Sequence, residues 1–148
     1  MAASAWQLYN YAKRYIGNGT IELGVGNFKM ALFTSASNAS TFTLSTFASL
    51  TSEISATGGY TSGGKALVPA TGQWTVGASA KQMKFTYSAI GLTFTASGSS
   101  LNNVKYAVIY QSGGKLLCFC QLSSSQFSVA SPNTLTVLPA ATGVFTLT

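Results

Sequence analysis

The run Val104-Lys105-Tyr106-Ala107-Val108-Ile109-Tyr110-Gln111, then Ser112-Gly113-Gly114, then Lys115-Leu116-Leu117-Cys118-Phe119-Cys120-Gln121-Leu122 decides the fold class. Two strand-length apolar stretches, rich in β-branched and aromatic residues, flank a short glycine linker. That pattern predicts an antiparallel hairpin. Neither stretch approaches the ~20 apolar residues that a membrane-crossing helix needs.

Outward from this hairpin the pattern repeats in both directions. Towards the carboxyl end, Gln126–Val129, Thr134–Leu138 and Gly143–Leu147 read as strands. Towards the amino end the strands are Leu92–Ala96, Gln82–Tyr87, Gln73–Val76, Lys65–Val68, Phe28–Thr34 and Thr20–Val25. In Phe28–Thr34 the residues Phe28, Met30 and Leu32 alternate with Lys29, Ala31 and Phe33, giving one apolar face. Gly26-Asn27 is a turn pair between the first two strands. Short strands at roughly 8–14-residue spacing suit a sandwich or barrel. Residues 35–64 are the least regular; Phe47–Ile54 reads as a short helix or a loop, and Gly58-Gly59-Tyr60-Thr61-Ser62-Gly63-Gly64 as a flexible loop with an aromatic inside it.

Only the first segment is helical in pattern. Ser4 can cap, Leu8, Tyr11, Ala12, Tyr15 and Ile16 recur at helical spacing, Lys13 and Arg14 favour the last turn, and Gly17-Asn18-Gly19 stops the run. A helix over residues 4–16 is expected, within a helical arm 1–18 ahead of a β core 19–148, in one domain. The expected fold is all-β: an antiparallel β-sandwich with one short N-terminal helix, jelly-roll connections being one way to link its strands.

Composition narrows the function classes. The 148 residues include no histidine and no aspartate, and the only acids are Glu22 and Glu53. Those missing side chains supply most acid–base, nucleophile-activating and metal-binding chemistry near neutral pH. Charged residues make up 7% of the chain against 47% hydrophobic ones, so hydroxyls must supply the polar surface, and Ser and Thr are roughly a quarter of the residues. The net charge of +6 comes from Lys13, Arg14, Lys29, Lys65, Lys81, Lys84, Lys105 and Lys115, which are dispersed and include one arginine. A nucleic-acid binder concentrates such residues in a stripe; scattered lysines instead keep a hydroxyl-rich surface soluble or favour an acidic protein surface. The N-terminus has no basic residue followed by a long apolar segment, so no secretory leader is expected and the chain reads as soluble.

Individual motifs give little chemistry. Cys118 and Cys120 would share a strand face ~7 Å apart, too far for a relaxed disulfide, and no further Cys or His completes a metal site. Synthesis in a reducing cytosol suits them. No serine has a histidine to activate it, no G-x-S-x-G elbow occurs, and Ser62 with Lys65 lacks any further signature of a Ser–Lys enzyme. Glu22 and Glu53 are the only carboxylate pair available for glycoside hydrolysis, without aspartates to tune them. Gly64-Lys65 and Gly114-Lys115 are not phosphate loops, and these glycines read as turn residues. Trp6, Trp74 or Tyr60 could stack on a sugar ring, although aromatics at strand spacing are ordinarily core. No enzyme activity, cofactor or metal is expected.

Four phrases in a distinctive order carry a resemblance: Asn27-Phe28-Lys29-Met30-Ala31-Leu32-Phe33-Thr34-Ser35, Gly59-Tyr60-Thr61-Ser62-Gly63-Gly64-Lys65-Ala66-Leu67, Trp74-Thr75-Val76 and Asn103-Val104-Lys105-Tyr106-Ala107-Val108-Ile109-Tyr110. Together they resemble small β-rich virion structural proteins of tailed bacteriophages, over most of the chain after about residue 18. The resemblance implies a capsid decoration (cement) protein that contacts the major capsid protein and copies of itself, as a dimer or trimer, in a virion assembled in the host cytoplasm. The alternative is a tail or fibre component that binds host-surface glycan. It carries over no functional residue and implies no membrane or specific nucleic-acid partner. Trp6, Tyr9, Tyr15 and the loop residue Tyr60 are the expected partner contacts.

Overall fold

The computed structural model describes residues 3–69 and 73–148. In chain order its elements are β1 (Gln7–Leu8), α1 (Asn10–Gly17), β2 (Phe28–Phe33), a 3-10 turn (Phe47–Ser49), β3 (Lys65–Ala66), β4 (Trp74–Val76), β5 (Met83–Phe85), β6 (Leu92–Thr95), β7 (Leu101–Val104), β8 (Tyr106–Gln111), β9 (Lys115–Gln121), β10 (Phe127–Val129), β11 (Thr134–Val137) and β12 (Phe145–Leu147). All the strand pairings are antiparallel, so the all-β reading holds.

The β8–β9 hairpin forms where the sequence places it and is the heart of a five-stranded sheet ordered β1-β9-β8-β2-β3. Gly113 and Gly114 close it with φ of +106° and +94°, the backbone region that glycine enters without steric penalty. The Gly114 N–H donates to the Gln111 carbonyl at 2.9 Å. Ile109 pairs with Cys118 but Tyr110 with Leu116, so Leu117 is an extra residue in β9, a bulge whose carbonyl accepts the Tyr9 N–H.

Register then sorts the side chains. Lys29, Ala31, Phe33, Tyr106, Val108, Tyr110 and Phe119 share one face; Phe28, Met30, Leu32, Ala107, Ile109, Cys118 and Cys120 share the other. Segment 35–54 covers the first face: Phe47 stacks on Tyr110 at 4.3 Å between ring centres, and Phe42 meets Phe119 edge-on at 5.4 Å. On the second face Phe28 packs edge-on against Phe85 at 4.9 Å, and Phe85 stacks on Phe145 at 5.5 Å. Phe85 and Phe145 belong to a three-stranded sheet ordered β12-β5-β4, and two further ladders, β11-β6 and β10-β7, complete a sandwich-like body. Jelly-roll connections are not established by these pairings. Covering on both faces explains why β8 and β9 are apolar at consecutive positions.

Several expectations are corrected. Helix α1 begins at Asn10, because the residues before it run as an edge strand along β9: Ser4 N–H donates to the Gln121 carbonyl, Gln7 pairs with Phe119 and Leu8 with Cys118. Thr20–Val25 is not a strand. The Val25 and Gly26 N–H groups both turn back to the Glu22 carbonyl, yet Ile21 and Leu23 still alternate inward against exposed Glu22 and Gly24. Its period-two pattern is met by a loop crossing the core without a ladder partner. Val104 belongs to β7 rather than β8: Asn103 takes a left-handed φ of +60° and the strand bends before Tyr106. Phe47–Ile54 resolves into the 3-10 turn and an extended stretch in which Glu53 bridges to Phe33.

Candidate partner-binding surfaces

The loop around Tyr60 is braced on the central sheet. Gly64 has φ of +72°, and a Cβ there would lie 1.9 Å from the Met30 carbonyl oxygen, so only glycine lets the loop lie this close on β2. The Glu53 carboxylate organises the rest. Oε1 accepts the Tyr60 hydroxyl at 2.6 Å and the Gly63 N–H at 2.7 Å, while Oε2 accepts the Ser62 hydroxyl at 3.0 Å. The Tyr60 hydroxyl in turn accepts the Leu32 N–H at 3.0 Å, and the Tyr110 hydroxyl donates to the Gly63 carbonyl at 2.6 Å. Burial first, then the bond to Glu53, holds the Tyr60 phenol well above the ordinary tyrosine range, so it stays a neutral donor. Tyr110 is raised by burial first and then by the Glu53 charge.

Of the four expected contacts, two face inward. Tyr60 is buried beside Phe94. Tyr9 is fully buried, its ring 5.1 Å from Phe119 and its hydroxyl donating to the Ala39 carbonyl at 2.6 Å. These two rings anchor the arm and the loop to their own core and offer a partner no area. Trp6 and Tyr15 are only half-buried. Trp6 helps line an apolar groove of about 540 Å³ between the N-terminal arm, Cys120, Phe127 and the Leu135–Ala140 stretch. Tyr15 lies under the Lys115 ammonium, whose nitrogen is 5.0 Å from the ring centre, a cation–π contact.

Sequence reasoning missed Tyr11. The sequence puts it on a helical aromatic face that packs on its own domain or on a neighbour; it is 41% exposed and its ring lies 6.0 Å from that of Tyr15 one turn on. It also missed three exposed apolar side chains, Val68, Ile90 and Leu138, around the turn where Ser88 N–H donates to the Val68 carbonyl and Leu138 packs against Gly91. No local signal separates these residues from core ones, since exposure depends on which strand end lacks a covering layer.

The residues weighed for chemistry are held apart. The Ser62 hydroxyl turns to Glu53, whereas the Lys65 ammonium donates to the Thr93 carbonyl at 2.9 Å. Glu22 is tied by its backbone to the Gln111 side chain at the Phe28 end of β2, while Glu53 bridges to Phe33 at the other end. Five strand steps put about 17 Å between those backbone anchor points. Cys118 and Cys120 are free, buried thiols. Among the described residues no group of three or more His, Cys, Asp or Glu could hold a metal ion, and no helix is long and apolar enough to cross a membrane. A second cleft, of about 260 Å³, lies between the braced loop and β6, lined by Thr61, Lys65, Thr93 and Thr95.

No family model, curated protein or solved structure matches this chain.

Proposed function

We propose that this chain is a non-enzymatic structural subunit of a tailed-phage particle: an outer capsid cement protein that bridges neighbouring major capsid proteins, itself paired or in threes, and resists expansion by the packaged DNA. One observation carries the reading. Side chains suited to chemistry or to mobile recognition, Glu53, Tyr60, Ser62 and Tyr110, are committed to bracing one loop on the central sheet. What remains outside is a weakly charged, hydroxyl-rich body whose faces can pack on repeated neighbours with little ion desolvation. The motif order that resembles small phage virion proteins supplies the biological setting. Closed symmetric contacts suit such a subunit.

The test is stoichiometric. Purified virions should contain on the order of hundreds of copies, one set per capsid lattice position, and lose resistance to heat or low salt when the protein is removed. A handful of copies per particle sinks the cement reading and favours a tail component.

The cleft lined by Thr61, Lys65, Thr93 and Thr95 favours a second reading, a tail or fibre module holding a host-surface glycan, because hydroxyls and an ammonium suit sugar hydroxyls. It ranks second because Tyr60 and Phe94, which also line that cleft, are buried and expose little ring face for stacking. Saturable binding of the isolated protein to host cells, weakened by Thr93→Ala, would reverse the order.

A further inference from the structure

The chain carries eight Lys and Arg against two carboxylates, so even full internal pairing leaves six cations for something outside. Two of the eight, Arg14 and Lys115, meet on one surface. Positions 11, 14 and 15 of α1 project within about a 100° arc of the helix, which groups exposed Tyr11, exposed Arg14 and half-buried Tyr15 on one side. Lys115 reaches over Tyr15 from the start of β9. Phe42, also exposed, borders this side because its carbonyl accepts the Asn10 N–H at 3.0 Å. Of the two acids, Glu22 lies one residue beyond Ile21, whose N–H donates to the Tyr15 carbonyl.

We infer that the outward side of α1, with Tyr11, Arg14, Tyr15 and Lys115, is a docking surface for an acidic protein segment, one presenting Asp or Glu side chains. Tyrosine and arginine together are the composition of binding hot spots between proteins, not of a phosphate-tracking groove. Arg14 can hold a carboxylate through two parallel hydrogen bonds, and Lys115 is already positioned by the Tyr15 ring. A second copy of this chain is a poor occupant, because a two-fold contact would set Arg14 and Lys115 against like charges. The inference deepens the cement reading by naming the chemistry of the capsid surface, and rests on that reading only for the identity of the acceptor.

The test is an amide NMR titration of the full chain with a decaglutamate peptide at low ionic strength. Shifts should concentrate in Asn10–Gly17, Phe42 and Lys115. R14E/K115E should weaken binding about tenfold or more, Tyr11→Ser should weaken it with the charge unchanged, and both should keep the dispersed spectrum of the folded protein. K84E is the control: Lys84 sits mid-strand in β5 between Thr75 and Thr146. Equal weakening by K84E, shifts scattered over all the lysines, or no shifts at all would overturn the surface. So would a short DNA duplex that binds the same residues more tightly than the peptide, since that reassigns the partner to nucleic acid. Peptide binding on α1 together with a low copy number in virions would leave this surface standing and remove only the cement role.

Discussion

Tyr60, Ser62 and Gly63 all donate to Glu53, so one side chain decides whether the loop is fixed. Glu53→Ala strands the buried Tyr60 hydroxyl and the Gly63 N–H. With each of the two stranded donors costing about 1–3 kcal/mol, a loss of about 2–6 kcal/mol is expected in urea unfolding, and Glu53→Gln should recover part of it. An unchanged midpoint in Glu53→Ala would mean that solvent replaces the carboxylate freely. The thiols make a second residue-scale prediction. Burial holds Cys118 well above the usual thiol range, with neighbouring Cys120 adding to the effect, and pushes Cys120 up to about 12 against a partly opposing backbone bond from Ala107. Unfolded thiols ionise near 8.5. As pH rises the unfolded chain therefore releases protons before the folded one, so the contribution is complete below about pH 8.5 and is lost between there and about 12. Denaturant midpoints should fall across that window, and a Cys118→Ala/Cys120→Ala variant should be less stable at neutral pH but flatter there. Parallel curves would remove the thiols from the account. The sequence shows that Glu53 is one of only two acids; its donors come from residues seven to ten positions on, and only the turn set by the glycines brings them back.

At the scale of elements, the N-terminal arm is where helical periodicity misleads. Leu8, Tyr11, Ala12 and Tyr15 have helical spacing, but Leu8 is taken by the edge of β9, where backbone pairing and the bulge carbonyl of Leu117 outweigh local propensity. The arm covers an otherwise open strand edge, which is a template for unwanted pairing. Removing residues 1–8 should therefore lower the unfolding midpoint and produce concentration-dependent association, read by light scattering. A truncated chain that stays monomeric and equally stable would mean that β9 needs no cover. The hairpin β8–β9, by contrast, is legible outright, since its turn glycines and flanking strands are contiguous in sequence. Strand β7 is not, because Leu101-Asn102-Asn103-Val104 lacks alternation and forms a ladder only when β10 returns beside it.

For the whole molecule, the scarcity of charge and the strand spacing together determine an all-β body with a hydroxyl surface and an excess of cations. Those properties are sums over residues or short-range periods, so no knowledge of distant contacts is needed to read them. Which aromatics face outward is different. Tyr9 and Tyr60 look as available as Tyr11 and Tyr15 in the sequence, but two are core and two edge a surface. That division follows from strand register, from the layer that segment 35–54 lays over one face of the sheet, and from the Glu53 bonds that turn the Tyr60 loop inward. Each joins residues far apart along the chain, and a local pattern can state that side chains alternate without stating which side of the sheet will be covered. The sequence alone determined the kind of elements and the charge they carry; the tertiary structure alone decided which of their faces is left for a partner.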